Sequence, residues 1–498
     1  MRRRAHISAG IGLVAAALGL AAAVRAETRP RYGRALVGSL LGKPVALDPV
    51  AARSHAEVQV VSLLFDSLYR IDEGGRVTPH LAVGLPALST DRRQARVRVR
   101  AGALFHDGKL VTAAAAAASL ERLRRSAAGW LLAPVASIGH EGDEVVLSLR
   151  RDTPELAELL AAPAASITPG GRAPGRSPVG SGPFSLARRP QGRGLELAAW
   201  ERHFAGRPYA DRLELRWFEG ATAEARAYEI GALAMSFRGA VAFTGHQPKY
   251  QTEVTSGPAV VMVYVGFGRA HGRAFADRDL RRALSLAIGR DSMRNIGTGE
   301  RVMPTPWPVA IELGGRQPER AELDARSGPA LTALRAAERR VRALRARPRP
   351  TWELLVDRTR PDDREIGERV VAALYRLGLT GRIVELDPDQ LARRVARGDF
   401  ALYIGQLVSP GPSASLQIAA AFAAGGDSWA AQRLAAAPLD TEAALAAFED
   451  RLPVLPLLHR SIRVHHRIDV RRITFDATGR LQYADLFLFG GVGAPATP

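Results

Sequence analysis

Alternating apolar and charged residues mark the clearest strand of the chain, at residues 95–100. This segment reads ARVRVR, and a period of two is typical of a strand with one buried face. An Asp107-Gly108 turn follows, and Thr112 stands at the N-cap position of an alanine-rich segment, AAAAAASLERL. The pattern therefore predicts a strand, a turn and a capped helix in this part of the chain.

Later segments change between strand and helix in a regular order. Residues 260–268 form a nearly continuous apolar run, and the strand-like segments 352–356 and 382–386 flank an amphipathic helix at 365–377. A strand, helix and strand in this order predict a parallel pair with a right-handed crossover. Residues 167–183 read ITPGGRAPGRSPVGSGP, which is too rich in Gly and Pro for a helix or an interior strand. We expect this segment to separate two lobes.

Residues 1–26 have the three parts of a secretory signal peptide. A basic start, Arg2 to Arg4, precedes an apolar run at 7–24 and a small-residue cleavage site that ends at Ala26. The alternative is an uncleaved anchor helix, since the run approaches the length that spans a bilayer. The low hydrophobicity of its Ala and Gly favours cleavage. Because the chain contains no cysteine, a lipid-modified N-terminal Cys is excluded, and we expect a periplasmic protein.

Composition narrows the function classes further. A chain of 498 residues is expected to form two or three lobes. The formal charge of +19 comes from 69 basic against 50 acidic residues, but the arginines are scattered and no basic, aromatic-interleaved patch stands out. We therefore expect no nucleic-acid partner. The absence of cysteine also excludes a disulfide and a cysteine nucleophile.

Tests for enzyme and metal motifs are negative. Gly180-Ser181-Gly182 lacks the spacing of a hydrolase elbow, and no glycine pair has the spacing or lysine of a phosphate-binding loop. His465 and His466 are neighbours in a predicted strand, so their side chains point to opposite faces and cannot share an ion. The sequence therefore predicts no catalytic residue, no cofactor and no metal site.

Residues 63–123 carry a long run of motifs in a fixed order. They read LLFDSLYRID, EGGRVTPHLA and ALFHDGKLVT before the alanine-rich helix. This text resembles the extracytoplasmic solute-binding proteins of family 5, the peptide/nickel class that feeds ABC importers. The matching residues are Phe65, Leu68, Gly75, Pro79, Leu81, Ala82, Phe105, His106, Asp107, Gly108, Val111, Thr112, Ala113, Ser119, Glu121 and Arg122.

The resemblance continues along the chain. Residues 178–184 (PVGSGPF), 202–215 (RHFAGRPYADRLEL), 279–290 (DLRRALSLAIGR) and 452–458 (LPVLPLL) are similar to successive family motifs and occur in the family's order. The resemblance implies an α/β, bilobal periplasmic-binding-protein fold of type II, in the large three-domain class, with a two-strand hinge.

The resemblance also implies a division into domains. The first lobe is expected to be discontinuous, with residues 31–56, 178–261 and 464–498. An inserted domain would span 57–177, and the ligand-gripping lobe 262–463. The hinge is expected at Val263, Phe267, Leu457 and Val464.

One departure from the family pattern concerns the ligand. Peptide-binding members carry a Trp and an amine-holding Asp where this chain is aligned to have Gln406 and Ser409. A buried ammonium without a carboxylate is costly, so an amine-free solute is expected, unless the alignment is shifted here. The candidate ligand-binding residues are Gln406, Ser409, Phe267, Tyr264 and Trp307.

The sequence thus predicts a monomeric binding protein, not an enzyme. It would capture a peptide-like or other small polar solute between two lobes and deliver it to ABC importer permease subunits. The alternatives are a binding protein that serves a sensory receptor or has lost its transporter, and an exported enzyme on a similar scaffold.

Overall fold

The computed structural model describes most of the chain downstream of the predicted signal peptide. The described residues are 32–190, 194–237, 250–268, 273–296, 302–324 and 351–489, with isolated positions between 328 and 335. The predicted signal peptide at 1–26 lies outside them. Within these ranges, no helix has both the length and the apolar character needed to cross a bilayer.

The strands are labelled in chain order. They are β1 (Ala35–Ser39), β2 (Tyr69–Ile71), β3 (Val77–Pro79), β4 (Ala87–Leu88), β5 (Gln94–Arg98), β6 (Val135–Glu141), β7 (Glu144–Leu149), β8 (Phe184–Arg188), β9 (Gly194–Ala199), β10 (Arg212–Arg216), β11 (Met235–Ser236), β12 (Thr252–Ser256), β13 (Val261–Phe267), β14 (Val302–Pro304), β15 (Thr351–Asp357), β16 (Thr380–Leu386), β17 (Leu402–Leu407), β18 (Leu455–Arg460), β19 (Arg463–Arg467), β20 (Val470–Arg471) and β21 (Phe487–Leu488).

The α-helices of the described residues are labelled in the same way. They are α1 (His55–Leu64), α2 (Ala113–Arg124), α3 (Leu156–Leu159), α4 (Ala221–Glu229), α5 (Arg278–Ala287), α6 (Arg320–Leu323), α7 (Pro361–Arg376), α8 (Pro388–Arg397), α9 (Ala414–Ala424), α10 (Trp429–Ala436) and α11 (Thr441–Arg451).

Two large sheets dominate the molecule. The first has seven strands in the order β12-β19-β11-β1-β10-β9-β8, and the second has six in the order β14-β18-β13-β17-β15-β16. Each sheet has its own apolar core: Leu36, Leu197 and Leu213 are among the buried residues of the first, and Val263, Leu354 and Ile404 of the second. The predicted parallel strand–helix–strand unit is confirmed, since β15 and β16 pair in parallel with α7 between them.

A four-stranded antiparallel sheet, in the order β4-β5-β7-β6, belongs to a third core that includes α2. The predicted alternation is confirmed in β5, where Ala95 and Val97 are fully buried. The predicted N-cap is also confirmed, because Thr112 Oγ1 accepts a hydrogen bond from the Ala115 amide at 3.2 Å. A helix without an acid in its first turn is therefore still capped.

The glycines of the PVGSGPF segment permit close packing against the end of α1. A Cβ atom on Gly180 would lie 1.8 Å from the Leu64 carbonyl oxygen, and one on Gly182 would lie 2.4 Å from that of Leu63. The Gly182 amide also donates to the Leu64 carbonyl at 3.0 Å. Only glycine lets the two backbones approach this closely.

A candidate binding site between the two sheets

Within the residues that the structure describes, the chain passes between the two large sheets at two adjacent places. It leaves the first sheet after β12 and enters the second at β13, through residues 257–260. It returns from β18 to β19 through residues 461–462. Since β12 pairs with β19 and β13 pairs with β18, the two connections run side by side.

The carboxyl ends of three strands meet near these connections. Asp357 ends β15, Gln406 is the penultimate residue of β17, and Arg460 ends β18. Strands β15 and β17 are parallel, and β17 and β18 are both antiparallel to the strand between them, β13. In open α/β sheets, ligands bind at the carboxyl ends of parallel strands, so this edge is the expected place for a site.

Two buried guanidinium groups form the centre of a polar cluster at this edge. Arg360 lies 3.2 Å from Asp357 and 3.0 Å from Asp363, measured between nitrogen and oxygen. Arg460 Nη1 donates to Asp362 Oδ2 at 3.2 Å. Both arginines are less than a tenth exposed. A buried charge of this kind is tolerated only with paired, hydrogen-bonded partners.

Gln406 joins the two arginines. With its amide oriented so that the oxygen faces them, Gln406 Oε1 accepts from Arg360 Nη1 at 3.2 Å and from Arg460 Nη2 at 2.5 Å. The amide thus places a neutral acceptor between two cations. Any solute group that replaced this acceptor would have to be an oxygen with lone pairs, such as a carbonyl, a hydroxyl or a carboxylate.

Asp363 is the most buried acid of the cluster. The residue is completely inaccessible to solvent, and apart from the ion pair with Arg360 neither carboxyl oxygen has a hydrogen-bond partner. Burial raises the pKa of Asp363 to about 7, although the nearby charge of Arg360 acts in the opposite direction. Desolvation disfavours the charged form of a carboxyl group, so this acid changes charge near neutral pH.

Residues that belong to the half of the molecule with the first sheet contact the second half near the polar cluster. Gly42 lies close enough to the loop after β15 that a Cβ atom there would be 3.3 Å from Thr359 Oγ1. Lys43 forms an ion pair with Asp389 at the start of α8. Glu57, on α1, acts electrostatically on Arg360. The two halves therefore contact each other across the polar cluster.

Three predicted ligand-binding residues lie on or near this edge. Gln406 belongs to the cluster itself. Tyr264 is buried, and its hydroxyl is 2.7 Å from that of Tyr403. The Ser409 hydroxyl donates to the Gly411 carbonyl at 2.6 Å. Ser409 is only 1% exposed, so its hydroxyl is used inside its own turn.

The other two candidates have different surroundings. Phe267 stacks on Phe275 with ring centroids 5.6 Å apart, beside the core of the second sheet. The indole nitrogen of Trp307 donates to Glu449 at 2.9 Å, and the Arg316 guanidinium lies 3.8 Å from its ring centroid. Both aromatic rings are thus packed against other side chains of their own surroundings.

The residues expected at a hinge lie on both sides of the connections. Val263 and Phe267 are in β13 and Leu457 is in β18, so all three belong to the second sheet. Val464 is in β19 of the first sheet. The chain changes sheets at 257–260, a few residues before Val263.

Sequence reasoning did not identify Arg360, Arg460 or Asp363. The sequence places Asp362-Asp363 before a predicted helix that starts at 365, whereas α7 begins at Pro361, so both acids lie in its first turn. Proline is favoured at the first helical position and acids are favoured in the first turn. The sequence did contain a signal for Arg360 and Asp363. The predicted strand at 352–356 is followed by DRTRPDD, which places both residues just after the carboxyl end of a strand.

Comparison with known proteins places the fold in a family. The model of a family described as bacterial extracellular solute-binding proteins, family 5 Middle, matches residues 76–429. The chain belongs to this family. The family match confirms the resemblance found in the motifs, and it covers the four-stranded sheet as well as most of the second large sheet.

Individual relatives of this family 5 member are more distant. The oligopeptide-binding protein AppA of Bacillus subtilis is 24% identical over 289 residues, which is 54% of this chain and 53% of AppA. The uncharacterized protein YhjP of the same organism is 33% identical over 181 residues, 35% of this chain and 31% of YhjP. The sequence matches thus span about half, or less, of these curated relatives.

Solved structures share the fold over nearly the whole chain. AppA of Bacillus subtilis in complex with a nonapeptide has a TM-score of 0.75 at 18% identity, covering 92% of this chain and 100% of that one. The Escherichia coli murein tripeptide binding protein MppA gives 0.76 at 18%, with 92% and 99% covered. AgaA of A. tumefaciens R10, in complex with agropinic acid, gives 0.74 at 18%, also with 92% and 99% covered. The α/β periplasmic-binding-protein fold is thereby confirmed.

A second feature of this family 5 protein lies away from the polar cluster. A cavity of about 290 Å³ is lined by residues of α1, of the loop after β9 and of the segment before β21. Asp66, His80 and His203 line it, and one possible ligand atom of each lies within 4.8 Å of the others. Sequence reasoning, which predicted no metal site, tested histidines close in sequence and missed this group. None of the five predicted ligand-binding residues lines this cavity.

Proposed function

We propose that this protein is a periplasmic solute-binding protein that captures a small polar solute between its two large sheets and delivers it to an ABC importer. The observation that carries the proposal is the buried polar cluster at the carboxyl ends of β15, β17 and β18. It lies where the two connections join the sheets. Family membership supports capture of a solute, and no catalytic role is proposed for any residue.

Two adjacent connections of two to four residues permit the two halves to move as rigid bodies about a hinge. Domain closure about a few terminal residues of secondary-structure elements is a common way to enclose a ligand. We place the hinge at residues 257–260 and 461–462. The contact between Gly42 and the loop after β15 then belongs to the closed form.

The chemistry of the cluster favours a solute without a free amine. Arg360 and Arg460 present guanidinium donors to Gln406, and the acids nearby are already bound to those same arginines. Guanidinium groups match carboxylates and other planar oxygen acceptors. An ammonium would have to compete with Arg360 for Asp357 and Asp363. We therefore propose a blocked peptide, a sugar-like solute or another amine-free molecule with oxygen acceptors.

Calorimetry on the full chain tests this choice. Titration with a mixed tripeptide library is compared with titration of the same library after N-acetylation. Binding of the acetylated library alone, weakened at least roughly tenfold by Arg360→Gln, is the expected result. Tight binding that requires the free amine would refute the proposed solute class while leaving a solute-binding role intact.

A matched control separates the cluster from general charge effects. Arg369→Gln removes a half-buried arginine of α7 that pairs with Glu365 and not with the cluster, and it should leave affinity unchanged. If neither library binds, mass spectrometry of small molecules that co-purify from the native periplasm decides the wider proposal. A protein recovered without any bound or bindable solute would contradict it.

Export and partner complete the proposal. Cleavage after Ala26, with no cysteine available for a lipid anchor, would release the protein into the periplasm as a monomer. The permease subunits of an ABC importer would be its partner. A crosslink to a sensory receptor in place of a permease would favour the alternative partner.

A further inference from the structure

Three side chains from distant parts of the chain converge beside the 290 Å³ cavity. Asp66 lies two residues after α1, His80 follows β3, and His203 lies in the connection from β9 to β10. Their side chains are 4%, 13% and 5% exposed. The fold therefore brings a carboxylate and two imidazoles together in a largely buried place, apart from the proposed solute site.

The possible ligand atoms of this group lie close enough to be brought around one metal ion. His80 Nε2 is 2.9 Å from Asp66 Oδ1, and His203 Nε2 is 3.4 Å from Asp66 Oδ2. Zinc bonds of about 2.0–2.2 Å in tetrahedral geometry place neighbouring donor atoms about 3.3 Å apart. All three donors lie within 4.8 Å of one another. Small side-chain rotations would bring them around one ion.

The second nitrogen of His203 indicates how the ring is oriented. His203 Nδ1 is 3.2 Å from the Gly206 carbonyl oxygen, and a carbonyl only accepts, so Nδ1 carries a hydrogen. In the neutral ring Nε2 then presents a lone pair to the Asp66 carboxylate. Two lone pairs facing each other are unfavourable unless a proton or a metal ion lies between them. A backbone carbonyl on the far nitrogen is the usual support of a metal-bound histidine.

The surroundings hold the three side chains in place. The Phe204 ring packs against both imidazoles, with centroids 4.8 Å from His80 and 4.7 Å from His203. The backbone at Asp66 is also held in place, because its amide donates a hydrogen bond to Ser181 Oγ at 3.3 Å. Each carboxyl oxygen of Asp66 faces an imidazole nitrogen, Oδ1 that of His80 and Oδ2 that of His203. The carboxylate is thus oriented towards both rings.

We propose that Asp66, His80 and His203 bind one divalent first-row transition ion, with Zn²⁺ as its probe. Two imidazoles and one carboxylate are a frequent ligand set for zinc sites that keep an open position. The remaining position would open to the cavity, where water or a donor atom of a cavity-bound molecule could occupy it. The ion would tie the end of α1 to the segment after β3 and to the β9–β10 connection.

The alternative occupant of the same place is a proton. In that case His203 is an imidazolium that forms an ion pair with Asp66, and no metal is bound. The two states make different predictions, since only the metal site gives saturable binding of one ion per chain.

Calorimetric titration of Zn²⁺ into the full chain tests the proposal, after chelator treatment and without a polyhistidine tag. The expected result is one ion per chain and a higher melting temperature with zinc, because an ion that binds only the folded form stabilises it. His80→Gln and His203→Gln should each weaken zinc binding at least roughly tenfold. Even the loss of a residue that only hydrogen-bonds to a metal ligand lowers metal affinity by about this factor. His140→Gln, on the exposed part of β6, is the control and should bind like the parent.

A measurement on the unaltered chain covers the case in which a variant does not fold. X-ray absorption at the zinc edge should show scattering from two imidazoles and oxygen. Absence of a saturable 1:1 stoichiometry, unchanged affinity in both histidine variants, or a spectrum without imidazole scattering would each overturn the proposal.

Discussion

Replacement of Asp363 by asparagine should make the stability of the protein less dependent on pH. The carboxyl group of Asp363 is fully buried, and burial raises its pKa from an ordinary value of 3.8 to about 7 in the folded chain. An acid with a higher pKa in the folded state binds its proton more tightly there. Its contribution to stability is therefore greatest below pH 4, falls as the pH rises, and is lost above pH 7.

The size of the effect follows from the shift. About 3 pH units at about 1.4 kcal/mol each give about 4 kcal/mol, of which roughly 3 kcal/mol is lost between pH 5 and pH 8. A change of this size corresponds to roughly 10 °C in the melting temperature for a unit of about 150–250 residues. Asparagine has nearly the same shape but no titrating proton, so the variant lacks this loss.

Differential scanning calorimetry at pH 5 and pH 8 measures the effect on both proteins. The melting temperature of Asp363→Asn relative to the parent should be higher at pH 8 than at pH 5 by roughly 10 °C. Losing the contact with Arg360 can change the melting temperature by the same amount at both pH values. That change cancels when the difference between variant and parent at pH 5 is subtracted from the difference at pH 8. Glu365→Gln, at a partly exposed acid on the same helix, is the control. An equal difference at both pH values would refute the argument from burial.

Three further predictions follow from other parts of the molecule. Gly182→Ala should lower the free energy of unfolding by roughly 1–3 kcal/mol, because the added Cβ would lie 2.4 Å from the Leu63 carbonyl oxygen. Gly84→Ala is the control and should leave stability unchanged, since no atom lies within 4 Å of its added carbon. Chemical denaturation of both variants measures the difference. N-terminal sequencing of protein from an osmotic-shock fraction should begin after Ala26, and an intact Met1 in the membrane fraction would contradict export. A saturating solute should reduce the radius of gyration in small-angle scattering without altering the circular dichroism spectrum, and an unchanged radius would count against hinge closure.

Local sequence patterns determined the elements and much of their order. The ARVRVR alternation places Ala95 and Val97 inside because side chains in a strand alternate between faces, and this holds wherever the strand lies. Thr112 caps α2 through a bond to an amide three residues away. The β15–α7–β16 unit was predictable because its period and length are set locally. The motifs resembling family 5 likewise depend only on residues close together in the chain.

The sites, in contrast, were decided by tertiary structure. Arg360 and Arg460 are a hundred residues apart and meet because two strands end at the same edge of one sheet. Asp66, His80 and His203 come from three connections, and no spacing in the sequence relates them. Ser409, aligned with an amine-holding acid, turns its hydroxyl to the Gly411 carbonyl. Local periodicity reports which face of an element is buried, but pairwise contacts between distant segments depend on how whole elements pack, and that information is not local.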